Sequence, residues 1–398
     1  MGRRPRAAFF KVANLAIRLR HPILVGKYRR RFGRMPDVCL PGDQTERMLW
    51  RKIFDRNPLY ALMMDKLAMR AFVRSRCPDL PLSEIVWVGT EATGIPDALL
   101  GNGYVVKANN GSGRNIFPGS GAKREDIIAT LSRWLRQPYG VNRGEWAYRN
   151  VQPTAYVEKR VAAPPGGELT EFNCQVAMGR CFLVSALQNV KQPTLRRAAF
   201  DREGNRLPFF GADPTRERPV AALPDDFRLP AVYPTLVRYA ETLGRDSDYA
   251  RVDFLCAGER FQFGEFTVYH SSGYERFTEP LERIFAANWD LRHAWFMRQC
   301  WRGPLGWYAA AFRAALDERS RTAWCRRRYF GASTMVIWRP SILGVCSTLA
   351  FSSTAALTRS SRRMPSSLCT ISRPRNRNVT FTLSPSSRKV RMALSFTS

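Results

Sequence analysis

A lysine followed by a loop of small residues is the first feature that suggests chemistry. The stretch Val-Lys-Ala-Asn-Asn-Gly-Ser-Gly places Lys107 at the end of an apolar segment, and it is followed by Asn110, Gly111, Ser112 and Gly113. A lysine ammonium and closely approaching backbone N–H groups suit the oxygens of a polyphosphate. The spacing is not that of a Walker A loop, because no Gly-Lys-Ser/Thr follows the glycines. A plain hairpin turn is the alternative interpretation.

Two acidic residues late in the chain suggest a site for a divalent cation. Asp253 stands two residues after Arg251, and Glu265 stands two residues before Thr267. On neighbouring strands of one hairpin, the two acids could project from the same face, where a cation or an arginine must offset the cost of their burial. Carboxylate and phosphate oxygens together suit Mg²⁺. A structural ion pair between Arg251 and Asp253 is the alternative.

A third candidate is the charged end of another apolar strand. Residues Tyr156–Val161 read Tyr-Val-Glu-Lys-Arg-Val, which is typical of a solvated strand end. Beside a nucleotide, the backbone of such a strand could pair with an adenine edge while Glu158 accepts a hydrogen bond from the amino group.

The elements that must position these residues mix helices with strands. Apolar periodicity predicts a helical region over 45–75, with Thr45 as its N-cap, and helices over 125–137 and 231–243. The strands do not alternate strictly with helices, so the pattern predicts an α+β fold rather than a Rossmann sheet. Predicted strands are 85–88, 104–107, 154–161, two strands meeting at Gly179 within 172–184, and a hairpin of 249–255 with 260–268.

Taken in order, these motifs resemble the ATP-grasp fold, and more closely its TupA-like branch, which is found with bacterial genes for cell-surface polysaccharides and takes part in teichuronopeptide synthesis. The resemblance runs from about Tyr28 to Phe277 and implies two α+β lobes that enclose a nucleotide cleft. Besides the three motifs above, it rests on Thr45-Glu46, 55–59, 65–70, 144–148 and 272–277.

The resemblance implies contacts to each part of ATP. Lys66 and Lys107 would contact the phosphates, and Asn110, Gly111, Ser112 and Gly113 would form a loop over them. Glu158 and Val161 would frame the adenine, and Glu168 or Glu171 would lie near the ribose.

The resemblance also implies a metal site and two catalytic residues. Asp253 and Glu265 would hold Mg²⁺, and Thr267 stands where the fold usually has an asparagine as third ligand. Arg251 would stabilise charge on the transferred phosphoryl group or on an acyl-phosphate, with Lys107 as the second catalytic residue.

The charge of the chain is uneven. Its 398 residues contain 63 Lys and Arg against 33 Asp and Glu, a net charge of +30, which indicates anionic partners. Residues 320–398 are rich in Arg and Ser, contain no Asp or Glu and are predicted to be unstructured. A frameshifted or read-through segment and a genuine basic arm both explain this tail. Because no recognised nucleic-acid motif accompanies the charge, specific nucleic-acid binding is not expected.

The first 34 residues interleave Arg and Lys with apolar residues, as in an amphipathic basic helix. Attachment to the inner face of the membrane is one interpretation, and a lead-in helix packed on the next domain is the other. No apolar run is long enough for a transmembrane helix, and no secretion signal is recognisable. The nine cysteines form no CxxC pair and are expected to be small core residues of a reduced, cytoplasmic protein.

These patterns predict four segments: a helical lead-in over 1–80, ATP-grasp lobes over 81–160 and 161–319, and the tail over 320–398. The resemblance implies ATP- and Mg²⁺-dependent ligation of a carboxylate, such as a uronic acid of a glycan, to an amine or thiol through an acyl-phosphate. The alternative is a degenerate module that binds nucleotide or glycan without turnover, as a partner of glycosyltransferases. Asn173 favours the alternative, because the branch usually has a lysine there.

Overall fold

Five helices precede the first strand of the chain. The computed structural model describes residues 3–119, 121–208 and 220–330, with side chains within 5–119, 121–208 and 220–321. Of the predicted tail, residues 331–398 therefore lie outside the described residues. In order, the helices are α1 (Arg3–Arg20), α2 (Pro22–Phe32), α3 (Gln44–Phe54), α4 (Pro58–Met64) and α5 (Met69–Arg76).

The helical region predicted over 45–75 is three helices, α3 to α5, and its predicted N-cap is wrong. Asp43 is the N-cap of α3, and its carboxylate accepts a hydrogen bond of 2.9 Å from the backbone N–H of Glu46. Thr45 instead donates its hydroxyl to Asp43 at 2.7 Å. The side chain of Asp43, two residues earlier, offers two acceptor oxygens to the free N–H groups of the first turn. Pro58 starts α4, because the first turn of a helix leaves its N–H groups unpaired in any case.

A four-stranded antiparallel sheet and one covering helix form a small lobe. The helix α6 (Arg124–Arg136) buries Leu131 against Val106 and Val157 of the sheet. Because successive side chains of a strand leave opposite faces, Lys107 points away from α6. The strands are β1 (Ile85–Gly89), β2 (Tyr104–Ala108), β3 (Asn115–Ile116) and β4 (Ala155–Lys159), in the order β1-β4-β2-β3 across the sheet.

A six-stranded sheet forms the larger lobe. Neighbouring strands are antiparallel except for one short parallel pair at an edge. The strands are β5 (Thr170–Ala177), β6 (Arg180–Gln188), β7 (Arg196–Phe200), β8 (Ala221–Ala222), β9 (Ala250–Ala257) and β10 (Arg260–Thr267), in the order β10-β9-β5-β6-β7-β8.

The two faces of the larger sheet differ in polarity. On one face, Phe172 and Val252 are fully buried in the core that α7 (Tyr233–Gly244) shares. Alternate positions of the same strands leave the other face and are polar. They are Glu171, Asn173, Arg251 and Asp253, with Asn173 directly opposite Asp253 in the β5–β9 pairing.

Helices from both ends of the chain pack into one hydrophobic core with the larger sheet. Trp50 of α3 donates its indole N–H to the Tyr308 hydroxyl at 2.7 Å, and the rings of Phe54 and Tyr308 stack with 4.6 Å between centroids. The predicted boundaries at residues 80 and 320 stay predictions. The helices before residue 80 share the core of the larger sheet, and residue 320 lies within the last helix. The C-terminal helices are α8 (Glu279–Asn288), α9 (Trp295–Arg298) and α10 (Gly303–Phe330).

Two further observations concern the cysteines and the helices. The six cysteines whose side chains the structure describes are free thiols, and five of them are buried, as expected of small core residues. Among the residues that the structure describes, no helix has both the length and the apolar character needed to cross a bilayer.

Candidate nucleotide and metal site

The two candidate metal ligands stand on the β9–β10 hairpin, where a bulge separates their registers. Phe263 pairs with Phe254 and Phe266 with Val252, so Gly264 and Glu265 together face Asp253. Bulges of this kind change the direction of a side chain and occur next to active sites. The charge of Glu265 lies close enough to contribute to raising the pKa of Asp253.

Arg251 holds Asp253 in a bidentate ion pair. Its Nε donates to Oδ1 at 2.7 Å and its Nη2 to Oδ2 at 2.6 Å, so the ion pair expected as the structural alternative is present. Burial raises the pKa of Asp253 to about 6, against the opposing pull of Arg251. Burial and then the charge of Asp253 raise the pKa of Glu171 to about 7. The charge of Arg251 thus acts on both acids, and an added cation would be stabilised beside them.

Asn173 lies between these two acids. We orient its amide so that the nitrogen faces them, 3.3 Å from Asp253 Oδ1 and 3.0 Å from Glu171 Oε1. Thr267 contacts the same acid from β10, with its hydroxyl 3.5 Å from Asp253 Oδ2. Neutral donors therefore occupy two positions around Asp253.

Lys66 joins the glycine-rich loop to this acidic corner. Its ammonium donates to the Gly111 carbonyl at 2.7 Å and lies 3.4 Å from Glu265 Oε2, while burial lowers its pKa. Burial also raises the pKa of Glu265, but Lys66, Arg251 and Lys107 together outweigh it, and the net shift is downward. Glu265 is therefore an ionised carboxylate at neutral pH, the form that binds a metal.

Lys107 and Glu158 form an ion pair across β2 and β4. The second carboxylate oxygen of Glu158 accepts a hydrogen bond of 2.7 Å from the Ser83 hydroxyl. The resemblance assigns Lys107 to the phosphates and Glu158 to the adenine. If both assignments hold, either the ion pair breaks when the nucleotide binds, or both side chains contact the nucleotide while they remain paired. Val161 follows β4 and is partly exposed.

The loop after β2 is fixed by Arg114 and by lack of space. Arg114 donates to Asn110 Oδ1 at 2.9 Å and to two backbone carbonyls at the C-terminal end of α6. A Cβ on Gly111 would come within 2.9 Å of the Arg114 side chain and 2.8 Å of the Tyr139 ring, so a larger residue would displace one of these side chains. Gly113 has a φ of +75°, in the left-handed region that favours glycine.

Two cavities meet at Arg251. One, of about 240 Å³, lies between Ser112 of the loop and Glu265 of β10. The other, of about 230 Å³, lies over the polar face of the larger sheet, where Glu171 and Glu275 line it. Arg251 lines both cavities. One guanidinium can therefore contact ligands in two adjoining cavities.

One predicted residue, Glu168, lies apart from this cluster, where it is exposed and pairs with Arg196 at 2.5 Å.

The contact between Glu145 and Ser272 in the cavity wall is not among the sequence predictions. Glu145 accepts a hydrogen bond from the Ser272 hydroxyl, and the Lys52 ammonium donates to the Ser272 carbonyl. Burial raises the pKa of Glu145 and lowers the pKa of Lys52 to about 8. The motifs that contain Glu145 and Ser272 are part of the resemblance, but nothing in the sequence indicates that they meet.

The donors around Asp253 fit part of a Mg²⁺ site. Asp253, Glu265 and Thr267 offer hard oxygen atoms, and Mg²⁺ that binds with phosphates typically uses one or two protein carboxylates. Within the described ranges, no group of three or more His, Cys, Asp or Glu side chains is arranged to hold an ion. A cation would therefore need further oxygens, from a bound nucleotide or from water, to complete its coordination.

Comparison with known proteins assigns the chain to a family. The sequence model of the TupA-like ATP-grasp family matches residues 46–283. A solved D-alanine–D-alanine ligase from Bacillus anthracis, complexed with ATP, is similar over 66% of this chain and 68% of its own, at 11% identity and a TM-score of 0.34. The ATP-grasp ligase PsnB complexed with minimal precursor is similar over 68% of each chain, at 11% identity and a TM-score of 0.30. No curated protein gives a significant match.

The family match covers more than half of the chain. It includes Lys66, the 110–113 loop and the β9–β10 hairpin, whereas Thr45 and the start of the resemblance at Tyr28 lie outside the match. The predicted α+β architecture is accordingly an ATP-grasp fold, and the chain belongs to the TupA-like ATP-grasp family.

Proposed function

We propose that this protein is an ATP- and Mg²⁺-dependent ligase that joins a carboxylate to an amine in the synthesis of a bacterial cell-surface polysaccharide. The observation that carries the proposal is that Lys66 contacts both the 110–113 loop and Glu265, beside Asp253. A lysine under a glycine-rich loop suits a triphosphate, and two acids suit the cation that accompanies it. Membership of the family supports the same class of reaction.

The proposed reaction has two steps. A carboxylate oxygen attacks the γ-phosphorus of ATP, the bond to ADP breaks and an acyl-phosphate forms. An amine nitrogen then attacks the acyl carbon, the bond to the phosphate oxygen breaks, and an amide, inorganic phosphate and a proton are released. Lys66 and Lys107 would hold the phosphates, and Arg251 would stabilise the charge on the transferred phosphoryl group. Mg²⁺ on Asp253 and Glu265 would neutralise the phosphate oxygens.

The two cavities suit the two substrates of such a reaction. We assign the cavity beside the loop to the reacting phosphate and carboxylate, because Ser112 and Glu265 line it. We assign the other cavity, and with it Glu171, to the amine rather than to the ribose. Glu171 and Glu275 line this cavity, and a carboxylate can accept a hydrogen bond from an ammonium group. A uronic acid of a glycan is the proposed carboxylate. Since the reaction consumes ATP, we propose that it takes place in the cytoplasm, and that the basic N-terminal helices hold the protein at the inner face of the membrane.

Binding of Mg-ATP is the first test of this function. Mg-ATP at a hundredfold excess over its Kd should stabilise the protein by about 2.7 kcal/mol and raise its Tm. Asp253→Asn and Glu265→Gln should abolish the rise, because each removes a charged oxygen ligand. Asp97→Asn, the same change at an exposed acid paired with Arg124, should leave the rise intact. An unmutated protein whose Tm does not respond to Mg-ATP would refute the proposal.

The second candidate function is nucleotide or glycan binding without turnover. It is favoured by Asn173, which puts a neutral amide between Glu171 and Asp253. The two functions differ in whether ADP and phosphate appear when ATP is incubated with a panel of uronic acids and amino acids. Release that depends on both a carboxylate and an amine supports the ligase. A Tm rise with Mg-ATP and no release with any pair supports the binding module.

A further inference from the structure

Helix α1 has two apolar faces, and its inner face fixes it to the body of the protein. Phe10 is buried and packs edge-on against the Tyr308 ring, with 6.4 Å between centroids. Asn14 is buried and donates a hydrogen bond of 2.7 Å to a carboxylate in the loop after α2. Arg6 pairs with Glu318 of α10 at 2.9 Å. The interpretation of α1 as a lead-in helix packed on the next domain therefore accounts for this face.

The outer face of α1 leaves large apolar side chains in solvent. We call Val12, Leu15, Leu19 and Ile23 the outer stripe; they are 68%, 55%, 75% and 58% exposed. The first three recur at helical spacing and so lie one above another on α1, and Ile23 is exposed in the first turn of α2. Contiguous apolar surface of this kind marks a site of interaction with a partner or a membrane.

The charge around the outer stripe identifies the kind of partner. Residues 1–36 contain eleven Lys and Arg and no Asp or Glu. Lys11 and Arg20 are exposed on α1 itself, and Arg29 and Arg30 are exposed on α2. An apolar stripe bordered by basic residues is the pattern of a helix that lies in a lipid interface, where anionic headgroups attract the basic side chains.

We propose that the outer stripe docks α1 onto an anionic lipid surface, with the four apolar side chains among the acyl chains and the basic side chains at the headgroups. This docking surface would hold the proposed ligase at the membrane, and in this respect the proposal rests on the proposed function. Lipid binding through the stripe requires neither ATP nor Mg²⁺, so either proposal can fail without the other.

The second helix links this surface to the wall of the reaction cavity. Lys27 of α2 donates to the Asn142 carbonyl at 2.7 Å, in the segment that leads to Glu145 of the cavity wall. Arg31 donates to the Tyr274 carbonyl at 2.9 Å. The docking surface is therefore part of the packed molecule and is presented in a fixed orientation.

Sedimentation with lipid vesicles tests the proposal on the full chain. The protein should bind vesicles of phosphatidylglycerol mixed with phosphatidylcholine and bind phosphatidylcholine alone weakly. The double substitution Leu15→Gln/Leu19→Gln should weaken binding to the anionic vesicles about tenfold or more, because it removes apolar insertion. Val88→Gln, at a side chain of β1 that is 52% exposed, is the matched control and should bind as the unmutated protein does.

The substitutions leave the net charge unchanged. A loss of binding would therefore report the loss of apolar side chains inserted among the acyl chains, and not a weaker attraction to the anionic headgroups. If the double variant binds as well as the unmutated protein, basic residues elsewhere bind the lipid and the proposal is wrong. The proposal is also wrong if the protein does not bind anionic vesicles. It is wrong as well if the protein is a dimer that the double substitution makes monomeric, since a second copy would then cover the stripe. An unchanged Tm and an unchanged response to Mg-ATP would confirm that the variant is folded and its nucleotide site intact.

Discussion

Asp55 shows how a single buried carboxyl group can hold its proton near neutral pH. Its Oδ1 accepts a hydrogen bond of 2.8 Å from the Phe296 N–H, and its Oδ2 lies 3.1 Å from the Tyr60 hydroxyl. That hydroxyl lies closer to Asp248 Oδ1, at 2.6 Å, and donates to it. A proton on Asp55 Oδ2 can then donate to the tyrosine oxygen. Burial and the charge of Asp248 raise the pKa of Asp55 to about 7.

Asp55→Asn should therefore change how stability depends on pH. The folded pKa lies above the usual value of 3.8, so the stability that the acid contributes is complete below about pH 4 and is lost as the pH rises through about 7. Between pH 5 and pH 8, the variant should gain about 2 kcal/mol in free energy of unfolding relative to the unmutated protein. Urea denaturation at both pH values measures this. The prediction is contradicted if the free energies of unfolding of Asp55→Asn and the unmutated protein change with pH in parallel. Asp97→Asn, at an exposed acid, is the control and should give a profile parallel to that of the unmutated protein.

Among the elements, the β9–β10 hairpin depends on a glycine at its bulge. A Cβ on Gly264 would lie 3.0 Å from the backbone oxygen of Asp253, a contact that forces one strand to move by a few tenths of an ångström. Because Glu265 follows directly, a residue larger than glycine at position 264 is expected to shift Glu265 relative to Asp253.

Gly264→Ala is expected to weaken Mg-ATP binding by about tenfold, because small displacements of positioning groups are costly, and to lower the free energy of unfolding by about 1–2 kcal/mol. Calorimetric titration with Mg-ATP and urea denaturation give the two values. Gly101→Ala introduces a Cβ with no atom within 4 Å and should change neither. Normal Mg-ATP affinity in Gly264→Ala would show that the bulge does not position Glu265.

Elements with local patterns could be predicted from the sequence, and those that depend on distant partners could not. The hairpin over 249–268 and the helix over 125–137 are confirmed within a few residues, because alternation and helical periodicity are local. The alternation of apolar and polar residues does not indicate the bulge at Gly264, because the bulge depends on the register of the partner strand. The Glu145–Ser272 contact and the core that α3 shares with the larger sheet join segments far apart in sequence, for which one sequence contains no signal.

For the whole molecule, Arg51 links the N-terminal helices to the larger sheet. It is fully buried and donates to Asp248 Oδ1 at 2.9 Å and to the Val268 carbonyl at 2.8 Å. Its guanidinium also lies 4.6 Å from the Trp289 ring, which itself donates to Asp248 Oδ2 at 2.7 Å. One cation thus joins α3, the start of β9, the end of β10 and the end of α8.

Arg51→Met should lower the free energy of unfolding by about 3–5 kcal/mol, because it leaves Asp248 buried without its cation. Since the helices and the larger sheet share a core, circular dichroism and tryptophan fluorescence should still report one common transition in urea. Arg76→Met breaks a half-exposed pair with Asp246 and should cost less than about 1 kcal/mol. Equal losses in the two variants would mean that the buried pair contributes no more than a surface pair. Separate transitions of helix and sheet in Arg51→Met would mean that this one contact, rather than the shared core, makes the molecule unfold as a unit.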